Sequence, residues 1–138
     1  MKYMILTYGS QLDYDGMAGA GEADRVWSPE TFTAMTEFMV TFTKELEASG
    51  ELVDTRGLAA PALTRRVQLE DGVPVVTDGP FAETTEVLAG YWIVECDSFD
   101  RATELAGRLA ACPAPPAVAG SEVVDVRPIM DSADDLTF

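Results

Sequence analysis

KYMILTY (residues 2–8) decides the fold. The segment is β-branched, aromatic and long-chain apolar, which is strand chemistry. Alternate positions place Tyr3, Ile5 and Thr7 on one side and Met4, Leu6 and Tyr8 on the other, and both sides are apolar. A strand apolar on both sides is covered on both sides. LAGYWIVEC (88–96) is a second strongly apolar strand.

Between them the pattern changes period. Ser28 caps a helix, Pro29 suits its first position and Glu30 complements its dipole. Phe32, Met35, Met39, Phe42 and Leu46 follow at steps of three and four, one apolar stripe that reads as core, and Gly50 ends the helix. Residues 51–58 read as a strand. Segments 65–69 and 73–77 flank Glu70, Asp71 and Gly72, a hairpin signal. Asp97 and Ser98 cap a second helix whose inner face is Ala102, Leu105, Ala106 and Leu109. Residues 123–129 form a last strand, which Pro128 places at or near a sheet edge. Residues 131–138 read as a loose acidic tail on a domain of residues 1–130.

The order is strand, helix, strand, hairpin, strand, helix, strand. Setting the hairpin aside leaves an α+β, ferredoxin-like split βαβ arrangement. Two helices cover one face of such a sheet. The other face is apolar too, so the expectation is a homodimer closed through it. Residues 9–27 are polar and carry four glycines, and read as a long loop, either a mobile lid or a plain surface loop. The calcium-loop reading of DYDG fails, because the third ligand position and the closing Glu are absent.

Composition excludes several roles. The 138 residues carry 24 acidic and 9 basic side chains, a net charge of −15, and no His. That leaves too few cations for a nucleic-acid face or an anionic membrane surface. His-dependent triads and His metal sites are impossible. Walker, GxGxxG, GxSxG and CxxC motifs are missing, so no cofactor and no metal are expected. The N-terminus does not read as a signal peptide, and Cys96 and Cys112 read as reduced thiols. The expectation is a cytoplasmic protein.

Chemistry centres on Asp78, in the sharp turn Asp78-Gly79-Pro80-Phe81 after an apolar strand. A carboxylate at the mouth of an apolar cleft suits general acid–base work, although Asp is also a turn former. Glu83 and Phe81 are candidate substrate contacts. Arg127 is a candidate anion anchor, or one half of an ion pair with Asp125 or Glu95. Tyr8 and Tyr91 are candidates to present hydroxyls into a cleft.

KYMILTYG (2–9), VTDGPFAETTEVLAGYWIVE (76–95) and VVDVRPIM (123–130), in this order and spacing, resemble the YCII-related family, specifically its DGPF-motif branch. The resemblance implies a ferredoxin-like fold and dimers that form an α/β barrel. Thr85 stands where Lys is common in that group, so no role of that Lys carries over. Some members are proposed enzymes on account of a His–Asp pair in a cleft, which this His-free chain cannot form. Others lie beside extracytoplasmic-function sigma factors. Two functions follow as expectations. One is a small-molecule site in a dimer cleft, with Asp78 as acid or base. The other is a non-catalytic regulatory module that docks a basic protein, such as a sigma factor.

Overall fold

A computed structural model of the chain describes residues 1–136. β1 (Lys2–Gly9) lies inside a four-stranded sheet, antiparallel to β5 (Val87–Glu95) on one side and to β6 (Val124–Pro128) on the other. β2 (Leu52–Gly57) joins beyond β5, giving the order β2-β5-β1-β6. Pro128 is the last residue of an edge strand, where no neighbour needs its missing N–H. The result is a mixed α+β chain with an antiparallel sheet, compatible with the ferredoxin-like order.

α2 (Pro29–Ser49) and α3 (Phe99–Ala110) cover one face. Ser28 and Ser98 cap them, each side chain accepting from the backbone N–H three residues on. Gly50 ends α2 at φ 77, a conformation an L side chain resists. Tyr3, Ile5, Trp92 and Val94 from the sheet meet Phe42 and Leu46 of α2 and the four expected residues of α3 in one core. Each large aliphatic or phenylalanine side chain among them contributes about 1.5–3 kcal/mol through burial. The stripe on α2 is not buried throughout. Phe32 stays exposed, edge-on to Trp27, and Met35 and Met39 are half-buried.

Residues 9–27 are not simply a loop. They contain a further helix, α1 (Gln11–Met17), which is a correction to the sequence reading. Ser10 accepts from the Asp13 N–H at 3.2 Å, and Asp13 accepts from the Ser10 N–H at 2.9 Å. This capping box starts a helix that composition alone conceals. Gly16 fits within it because a Cβ there would come within 2.2 Å of the Arg25 carbonyl oxygen.

β3 (Arg65–Glu70) and β4 (Val73–Asp78) form a separate hairpin. Asp71 (φ 50) and Gly72 (φ 77) make its tight turn. All of its residues are exposed. Of the acidic tail, Ala133–Leu136 form a short 3-10 turn, and residues 137–138 lie outside the described part.

The sheet face away from α2 and α3 carries Met4, Leu6 and Tyr8 of β1 with Leu88, Tyr91 and Ile93 of β5. Its charges are Lys2, Arg56 and Arg127 against Asp54, Glu95 and Asp125, so the face is neutral in a chain of net charge −15.

Candidate ligand cavity

A cavity of about 550 Å³ lies between the helix-covered face of the sheet and α2. β-alternation supplies its floor: Thr7, Thr55, Gly90, Trp92 and Val124 all point to that side. Helical spacing supplies its roof, because Met35, Met39 and Thr43 repeat every four residues along α2. Tyr14 and Met17 of α1, with Arg25 and Trp27 behind them, close one wall. Cys112, Val118 and Glu122, from the segment after α3, close another. A second depression of about 460 Å³, at the start of α2 and the end of α3, is open and lined mainly by alanines. It offers little to orient a ligand.

The polar groups of the cavity fall into matched and unmatched sets. Arg25 pairs with Asp13 at 3.4 Å, and Arg56 with Asp54 at 2.8 Å. Tyr14 donates its hydroxyl to the Leu58 carbonyl at 2.8 Å. Burial, and then the nearby Asp13 charge, raise the Tyr14 pKa. Thr7 and Thr55 donate to the Gly90 and Tyr91 carbonyls. The indole N–H of Trp92 is buried with no partner among the described residues. Partial desolvation pushes the Cys112 thiol up to about 11, with Glu122 adding to the rise, so Cys112 is a protonated and unreactive wall.

Glu122 is accessible as a residue, yet it sits against the cavity wall. Desolvation there, followed by the Asp13 charge, raises its carboxyl above the ordinary range. The folded state therefore holds this proton more tightly than the unfolded chain. Below the ordinary Glu pKa of about 4.3 the carboxyl is neutral in both states and carries no penalty. As pH rises through the folded value it must ionise in place, and stability is lost. Glu122→Gln is thus expected to match wild type in acid and to be more stable at neutral pH, read as urea midpoints across pH. A variant less stable than wild type at pH 7 would contradict the assignment.

The residues singled out from the sequence fall into two groups. Tyr8, Tyr91 and Arg127 share the open sheet face. Tyr8 donates to Asp125 at 2.7 Å, and its hydroxyl pKa is raised chiefly by that bond. Tyr91 donates to Asp54 at 3.3 Å. Arg127 forms no ion pair with Asp125 or Glu95. Asp78, Phe81 and Glu83 sit where the hairpin rejoins the body. Asp78 is exposed at the end of β4 and pairs with Arg65 at 3.2 Å, outside the cavity wall. Phe81 lies under the Arg66 guanidinium at 5.0 Å, and the Glu83 carbonyl accepts from the Leu12 N–H. Tyr8 alone of the six also touches the cavity. The sequence reading missed Tyr14, Arg25, Trp27 and Glu122 as neighbours. The available signal was Trp27 directly before a helix whose stripe carries Met35 and Met39.

Among the described residues, no helix is long and apolar enough to cross a membrane. The sequence matches the family model of the YCII-related domain over residues 1–130. An uncharacterised protein of Rhizobium meliloti (strain 1021) is 26% identical over 110 residues, covering 80% of this chain and 81% of that protein.

Proposed function

The chain belongs to the YCII-related family, and from that premise we propose that it is a small-molecule-binding homodimer whose ligand occupies the cavity beneath α2. The observation that carries this reading is the cavity itself. It is mostly apolar and of ligand size, with a few polar groups converging on it, which is the usual make-up of a ligand site. Glu122 is the carboxyl best placed for acid–base chemistry there, because it touches the cavity and holds its proton above the ordinary range. Asp78 then serves as the partner of Arg65 at the root of the hairpin. Dimerisation is supported by the apolar, charge-balanced open face, which a strongly acidic chain can stack against itself without net repulsion.

The test is thermal. A small-molecule extract should raise the Tm of the wild-type protein, since a native-state ligand at about a hundred times its Kd adds about 2.7 kcal/mol. Met39→Trp fills the roof of the cavity and should abolish the shift. An equal shift in the variant, or none in wild type, would remove the reading.

A further inference from the structure

We propose that the cavity selects an organic cation, an amine or quaternary ammonium group carried on an apolar body of aromatic size. The inference rests on the ligand-binding reading above and adds the ligand's charge. Two cations border the cavity: Arg25, which faces Asp13, and Arg56 on the edge strand β2, whose side chain pairs with Asp54 on the open face. Two further carboxylates border it from exposed positions at its rim, Glu86 and Glu122, and neither forms a hydrogen bond or ion pair with any described residue. Among the described residues, an anionic ligand would meet two negative charges without a protein partner and no such positive one, while the unpartnered Trp92 indole N–H calls for a neutral acceptor on the ligand's body. A cation would complete the set.

The walls agree with that sign. Tyr14, Trp27 and Trp92 contribute aromatic side chains to the lining, and an aromatic ring face attracts cations. Met17, Met35 and Met39 add polarisable thioethers that adapt to an apolar body. A bare metal ion fits less well, because no group of three or more His, Cys, Asp or Glu among the described residues is arranged to hold one. The net charge of −15 also draws cations towards the molecule.

Three probes that share one ring system separate charge from shape: tryptamine, the neutral alcohol tryptophol and the anion indole-3-propionate. Calorimetry on the full-length protein is expected to rank them in that order. Tryptamine should bind at least about tenfold more tightly than tryptophol, from one cation–π contact plus one carboxylate at the rim. The double variant Glu86→Gln with Glu122→Gln should erase that advantage and leave tryptophol unchanged. Equal affinities for all three probes, lost together in Met39→Trp, would overturn the charge inference and leave the ligand reading standing. Probes that bind Met39→Trp as well as wild type would overturn the ligand reading as well. A tryptamine Kd weaker than about 1 mM in wild type would also overturn the inference.

Discussion

Phe42→Ala is expected to destabilise the protein by about 3–5 kcal/mol, the range for removing a fully buried aromatic side chain. Phe42 is 1% exposed and sits at the middle of α2. Its ring meets Trp92 edge-on at 5.9 Å and stacks parallel to Phe38 at 6.3 Å. The Arg108 guanidinium lies over it at 5.0 Å and also pairs with Glu45 on the same helix. One side chain thus fastens α2 to the sheet and to α3. Alanine would leave a void among rigid neighbours and strip the guanidinium of its aromatic seat. The loss is a large part of a typical stability of about 5–15 kcal/mol. It should lower the Tm by about 10–15 °C in a scan of the variant. A loss below about 1 kcal/mol would mean that α2 is not seated as described.

The second large effect is on assembly. Leu6→Asp should convert the proposed dimer to a monomer while leaving the fold intact. Leu6 lies at the centre of the open face, between Tyr91 of β5 and Asp125 of β6, and its side chain points away from the core. In a two-fold interface each substitution is met twice. Two buried, unpaired carboxylates should weaken association by about a thousandfold or more. Sedimentation of the wild type should give twice the 14.8 kDa chain mass, and of the variant the chain mass alone. Unchanged far-ultraviolet dichroism would show that the monomer remains folded. A monomeric wild type would contradict the argument from the open face.

The fold was legible where a local pattern implies a long-range partner. Alternation in residues 2–8 and 88–96 identified the central strands. The inner face read for α3 is the set of residues it buries, and Pro128 marked an edge. α1 was hidden because four glycines in residues 9–27 outweighed a short capping signal at Ser10 and Asp13. The cavity was hidden for a different reason. Met35 and Met39 obey the same helical spacing as Phe42 and Leu46, and spacing does not say which members of a stripe meet a partner and which meet a gap. The gap arises from the approach of α1 and the segment after α3, elements far apart in sequence. Asp78 drew attention because turns are conspicuous in a sequence, whereas Glu122 stands in an unremarkable segment and gains its environment only through packing.

The most direct measurement uses the methionines. Of the six, Met17, Met35 and Met39 border the cavity, while Met1, Met4 and Met130 do not. With ¹³C-labelled methionine methyls, addition of a stabilising small-molecule fraction should shift the resonances of Met17, Met35 and Met39 and leave Met1 and Met130 in place. Shifts confined to Met1, Met4 or Met130, with the three cavity methyls unmoved, would contradict the proposed ligand site.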